Sequence, residues 1–423
     1  MTVSNQCGVS PLPLRMGRAL LSLGSILLLT SLCFSIVLAH IGMSVAIVGL
    51  LLLRPQIWRL PGFFWGLGFA AWVMGGSIVL AIAEGREFFH SRHGTSFVWV
   101  SAYVMAIGLA DIRTRTWAMS AAVCSVIASI LIAAGQFFIG SGSVPPFRID
   151  PSGPRFESSR GFLSRHLTQG FMMTLMFLIY LMRCDAALAS MSKGWTWTGR
   201  ILAAAGVLLA NSRSGILAFA ASIGAFLTAK HGLRFRILAV MVGVIVAVVG
   251  WVALITPEKI RRVVHMEDGR IIHWQVALVM IPRNPWIGVG ANGAFSKENA
   301  QIVRELYPDG SQDMWLKVPH AHNIYLGLMT EHGIPALCLY VMMVIAILRH
   351  LHSRRAINPI GWPLGCGATA AMVVGGITEH YAGLSLPSYG FFAVLGLALA
   401  LDRDYLEQRG MIRGCGSSGD HLS

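Results

Sequence analysis

The residue types that handle protons and phosphates are concentrated in a few short stretches of this chain. The densest runs from Pro319 to Leu337, PHAHNIYLGLMTEHGIPAL. His320 and His322 flank Ala321, Asn323 follows, and Glu331-His332-Gly333 interrupts an otherwise apolar run. A helix beginning near His322 puts Tyr325 and Met329 on one face with it. Imidazole changes charge near neutrality, so the group suits proton transfer. Ionisable groups within a membrane-length segment are costly, which makes them functional candidates. The alternative is a helix cap followed by a polar kink.

Arginines form the second signal. Ser212-Arg213-Ser214-Gly215 sits between two apolar blocks of 16 residues each, Trp195–Ala210 and Ser214–Ala229. Each spans ~24 Å, less than the ~30 Å hydrocarbon thickness, so Arg213 is expected below the outer surface, facing a protein cavity. A guanidinium there needs an anionic partner, and a diphosphate serves; snorkelling to headgroups is the alternative. Arg270 leads a segment with amphipathic spacing, Arg270–Ile281, stopped by Pro282 and followed by the turn-rich Asn284–Gly290. Loop 141–167 carries Arg148, Arg155, Arg160 and Arg165 among Pro, Gly and Ser, a composition suited to an anion or to lipid headgroups.

A metal site competes with the acid–base reading. His320 and His322 supply two ligands, with Asp313 or Glu331 as a third. The only D-x-D is Asp402-Arg403-Asp404, and its place beyond the last apolar block reads as a solvated tail over 402–423.

The elements that must position these groups are helices in a membrane. With 55% hydrophobic residues, 12% charged residues and a mean hydropathy of +0.64, the chain is excluded from the soluble classes. The net charge of +14 is spread between apolar blocks instead of forming a patch, which argues against nucleic acid. Twelve apolar blocks are expected as spans, at about 19–36, 41–53, 62–83, 94–110, 117–140, 168–182, 195–210, 214–229, 237–255, 322–348, 361–378 and 387–401. His40 and Gly42 split the first long run in two.

If the N-terminus is inside, the inner segments hold 18 lysines and arginines, and the short outer loops hold only Arg86, Arg92 and Arg213. The remaining basic residues lie in outer loops 141–167 and 256–321, too long for the rule to count. This predicts one all-α membrane domain, 1–423, with both ends inside. Neither long outer loop contains a cysteine, so no disulfide framework and no Cys-based metal site is expected.

Three pieces resemble, in order, the O-antigen ligase/polymerase family: SRSG opening a helix, an arginine-led segment ending in NPWIGVGANGAF, and HAHNIYL with Gly333 ten residues past Asn323. The layout, with a large outer loop before helix 10, is similar too; Ala336 departs from the family's frequent glycine. The resemblance implies a GT-C-like bacterial inner-membrane glycosyltransferase, working on the periplasmic face without metal or other cofactor and inverting at the transferred sugar. Its donor is an undecaprenyl-diphosphate-linked glycan and its acceptor a hydroxyl of lipid A–core. Arg213 and Arg270 would hold the diphosphate, His322 would take the acceptor proton, and Asn323 would orient it. His320, Arg160 and Arg165 complete the expected substrate contacts.

A polymerase of O-antigen or exopolysaccharide, joining lipid-linked repeats, shares this motif set. A flippase for lipid-linked glycans is the alternative of another class. Transporters usually show related halves, and no repeat relates 1–210 to 211–423.

Overall fold

The computed structural model describes residues 12–84, 96–139, 162–163, 166–181, 191–232, 269–290, 294–310, 316, 320–381, 385–408 and 412. Arg160, Arg165, Asp313, most of loop 141–167 and the apolar block 237–255 lie outside these. Among the described residues the chain is helical, without strands.

The helices are α1 (Leu12–Ser31), α2 (Ile36–Leu53), α3 (Phe63–Glu84), α4 (Val100–Gly108), α5 (Ile112–Ile139), α6 (His166–Leu181), α7 (Lys193–Leu209), α8 (Arg213–His231), α9 (Gly269–Arg283), α10 (Ala294–Leu306), α11 (Ile324–His332), α12 (Ile334–Ser353), α13 (Gly361–Gly375), α14 (Ser385–Ala400) and α15 (Arg403–Gln408). Apart from 237–255, every expected apolar block falls on one of them. Five are long and apolar enough to cross a membrane: α1, α2, α3, α5 and α12. The expected twelve spans are not reached among the described residues. Four other apolar helices are shorter: α6 has 16 residues, α7 17, α13 15 and α14 16. At 1.5 Å per residue these reach only ~22–26 Å.

Two boundaries differ from expectation. The first apolar run breaks at 32–35, where Ser35 caps α2 by accepting from the Leu38 N–H. His40 and Gly42 lie inside α2. Gly42 is needed there for contact, because a Cβ would stand 2.7 Å from the Leu28 nitrogen of α1. Block 322–348 is two helices, separated at Gly333, whose φ of +83° ends α11.

The tail also departs from expectation. Asp402 is not solvated; it is 2% exposed, and Arg354 donates to both its oxygens at 2.7 and 3.0 Å. Its Oδ1 also accepts from the Tyr405 N–H, so the carboxylate caps α15. Burial of Leu406 fixes that helix against the bundle. Arg354 and Asp402 follow α12 and α14, so this clamp lies at the end of the bundle away from Gly333 and Tyr381.

A second, smaller core belongs to α9 and α10. Ile272, Val276 and Met280 recur every four residues along α9 and bury against Phe295, Ile302 and Val303 of α10. The Tyr307 hydroxyl donates to Gln275, and the Asn299 amide donates to the Leu316 carbonyl. Ala321 and Leu326 share this core, which ties the hairpin to the start of α11.

Candidate active site

The site forms where α8, α9, α11 and the α13–α14 connection meet. α8 runs antiparallel to α13, with Ala218 opposite Gly375 and Ser222 opposite Gly367. Its N-terminus therefore lies beside the residues that follow α13. Ser212 caps it, accepting from the Gly215 N–H at 3.2 Å, and Asn211 takes a φ of +48° to make the turn. Arg213 is the first residue of α8, where the dipole favours anions.

The start of α11 is strapped to the end of α13. The Ile324 N–H donates to the Gly376 carbonyl at 2.7 Å, and the Tyr325 hydroxyl donates to the Val373 carbonyl at 3.0 Å. The Asn323 Oδ1 accepts from the Tyr325 and Leu326 N–H groups, and its amide donates to the Ile377 carbonyl. That commits Asn323 to capping and to the strap. α11 thus begins at Ile324, and His322 lies outside it, with a φ of +49°. The expected helical face shared by His322, Tyr325 and Met329 is absent. A non-glycine residue in that region costs on the order of 1–3 kcal/mol, a strain typical of functional sites.

This conformation aims His322 at Glu379. The two side chains meet at 3.4 Å through the His322 Nδ1, and Glu379 is fully buried. Glu379 Oε1 also accepts from the His380 N–H at 3.1 Å and lies 3.9 Å from His320 Nε2. The His322 N–H donates in turn to His320 Nδ1 at 3.3 Å. Burial works to raise the Glu379 carboxyl, but the hydrogen bond with His322, the imidazole charges and the His380 N–H hold it at about 2. For His320, burial and then the charges of His380 and His322 outweigh the pull of Glu379 and Glu331, lowering it to about 3. His320 is therefore neutral and Glu379 ionised near pH 7. An ionised carboxylate only accepts, so Nδ1 of His322 carries a proton, and the neutral tautomer is the one with its acceptor nitrogen at Nε2.

The arginine-bearing elements converge on the same place. His273, one turn after Arg270 on α9, stacks on the His322 ring with centroids 5.5 Å apart. Tyr381, two residues past Glu379, stacks on Phe171 at 4.3 Å. Burial and the Glu379 charge push its phenol above the usual range, while the Ser214 hydroxyl and the Arg270 guanidinium are near enough to pull it back. Arg270 and Ser214, the residue beside Arg213, are thus both close enough to influence Tyr381, two residues past Glu379. His320 is buried behind the His322–Glu379 pair.

A second buried pair adjoins the first. His380 Nε2 lies 3.4 Å from Glu331, and the His320 and His380 rings are 5.7 Å apart. Gly327 makes room for His380, since a Cβ there would meet the ring at 2.4 Å. The Glu331–Gly333 turn is pinned from outside. The Val289 and Gly290 N–H groups donate to the Thr330 and Glu331 carbonyls, and the Trp72 indole donates to the Trp286 and His332 carbonyls.

A sequence model of the O-antigen ligase family matches residues 199–341, which takes in α8, α9, α10 and α11. Residues 199–341 are therefore similar to the O-antigen ligase family. The chain's resemblance to the O-antigen ligase/polymerase family holds. No curated protein matches the chain. The matched family implies a glycosyltransferase-type activity with a lipid-linked glycan and a glycan acceptor as substrates. Glu379, His380 and Tyr381 fall outside the matched stretch, and sequence reasoning on the motifs missed them, together with His273. The available signal was a Glu-His-Tyr run between two apolar blocks, in a connection that the basic-residue count puts on the same side as His322.

Proposed function

We propose that this protein moves a glycan from a lipid diphosphate to an acceptor hydroxyl, with His322 as general base and Glu379 as the residue that positions it. The observation that carries this reading is the His322–Glu379 pair, 3.4 Å apart and flanked by the elements that bear Arg213 and Arg270. His322 Nε2 takes the acceptor proton as the hydroxyl oxygen attacks C1. The C1–O bond to the diphosphate breaks and the leaving oxygen keeps its electron pair. Arg213, Arg270 and the N-terminus of α8 stabilise the charge that develops on the diphosphate. Attack opposite the leaving group inverts C1. Glu379 holds the Nδ1 proton and stabilises the imidazolium, the role a carboxylate takes beside a catalytic histidine.

In this reading the donor carrier is undecaprenyl diphosphate and the acceptor is lipid A–core. The layout is a twelve-span, GT-C-like inner-membrane bundle with its site facing the periplasm. Asn323 acts on the acceptor indirectly, by fixing the backbone that carries His322. Arg160 and Arg165 contribute further donor contacts from the first long outer loop. No metal takes part in transfer.

Purified protein in detergent, given a lipid-diphosphate-linked glycan and lipid A–core, should yield glycosylated core and free lipid diphosphate with no membrane gradient. A doubled lipid-linked glycan as the product would identify a polymerase instead. Intact donor under all conditions would leave the flippase reading.

A further inference from the structure

We infer that His320, His322 and Glu379 form a binding site for a divalent transition metal of the zinc class, and that its occupation shuts off transfer. One ligand atom from each of the three lies within 4.8 Å of the others. Two of the three separations lie near tetrahedral values. Zinc–ligand bonds of about 2.0–2.1 Å put tetrahedral ligand atoms roughly 3.3–3.4 Å apart. Here His322 Nδ1 and Glu379 Oε1 are 3.4 Å apart, and His320 Nε2 and Glu379 Oε1 are 3.9 Å apart. Closing the second gap needs a shift of half an ångström or so, well within side-chain freedom.

The donor set is right for this class of ion. Two imidazoles and one carboxylate with an open fourth position suit zinc, and the oxygen-only shells favoured by magnesium and calcium are not available. His320 Nε2 is the informative atom: it is buried, has no hydrogen-bond partner among the described residues and faces Glu379. Its other nitrogen, Nδ1, accepts from the His322 N–H, so ligation through Nε2 moves the ring proton onto Nδ1 and gives up that hydrogen bond. His320 and Glu379 are closed off from solvent, while the His322 side chain is 25% exposed and gives the ion its way in.

Inhibition follows from the tautomer, and this part rests on the proposed role of His322 as base. The metal takes the Nδ1 lone pair, so the single proton of the neutral ring moves to Nε2. That is the atom which must be bare to accept the proton of the acceptor hydroxyl. Binding by this triad and transfer are then mutually exclusive.

The test uses full-length protein in detergent, stripped with a chelator and titrated with ZnCl2 or CoCl2. One equivalent should bind, Co2+ should give the intense visible bands of a tetrahedral site, and Zn2+ should raise the melting temperature. His320→Gln and Glu379→Gln, checked for an unshifted melting temperature without metal, should each weaken binding at least tenfold. His332→Ala, a nearby histidine outside the triad, should bind as wild type does. Zn2+ should lower transfer at least tenfold, and chelation should restore it. Absence of stoichiometric binding, or equal binding by His320→Gln, overturns the site. Binding with the expected variant pattern that leaves transfer unchanged or raises it overturns the inhibition, and with it the assignment of His322 as base, while the site stands.

Discussion

His322 and Glu379 are 57 residues apart in sequence and 3.4 Å apart in space. Neither works alone in the proposed reaction. The carboxylate decides which ring nitrogen holds the proton, and the left-handed backbone at His322 decides where the bare nitrogen points. Glu379→Gln keeps the shape but can donate to Nδ1, which favours the wrong tautomer. Turnover should fall by about 10²–10⁴, the scale seen when a carboxylate that orients a catalytic histidine becomes an amide. Donor KM should hold, and Glu379→Asp should recover part of the rate. A loss confined to protein yield would make Glu379 merely structural.

Arg270→Lys keeps the charge and loses the planar two-point contact with a diphosphate. Transfer should drop by two to three decades, ~3–4 kcal/mol of transition-state stabilisation. Single-turnover kinetics at saturating acceptor measure this. A rate within a factor of three of wild type removes Arg270 from the leaving-group contact.

The buried His320 and Glu379 make stability fall on acidification. His320 drops from 6.5 to about 3 in the folded protein, so between those values the unfolded chain binds the extra proton and stability rises with pH. Glu379 drops from 4.5 to about 2 and acts in the same direction over its own lower window. Melting temperature in detergent with chelator present should decline as pH falls below about 6.5, with a shallower decline for His320→Gln. A flat profile from pH 7 to 5 contradicts the neutral buried state of His320.

Gly333 has a φ of +83°, and a Cβ there would stand 1.7 Å from the Trp286 carbonyl oxygen. Gly333→Ala should lower stability by more than the ~1–3 kcal/mol of backbone strain alone, because the Asn284–Gly290 turn must also move. Thermal unfolding checks this, with Gly75→Ala, where a Cβ meets open space, as the control.

The helices were legible because burial in lipid demands continuous apolar runs, and α3, α5 and α12 follow that demand closely. The arginines and histidines of the motifs were legible because such groups are rare where the rest is apolar. Glu379 was not, since its meaning depends on α13 running antiparallel to α8 and returning the chain to His322, which no local spacing encodes. Asn323 misled for the opposite reason: beside two histidines it reads as chemistry, yet its amide is used in capping α11 and holding Ile377. Asp402 misled because a charge near a chain end reads as solvated until a partner such as Arg354 is known.

In the proposed reaction His322 removes the acceptor proton. The direct measurement is single-turnover transfer by His322→Ala in detergent, with donor binding measured on the same preparation. A rate lower by about 10²–10⁴, with donor affinity unchanged, is the predicted result. Transfer near the wild-type rate by correctly folded His322→Ala would contradict it.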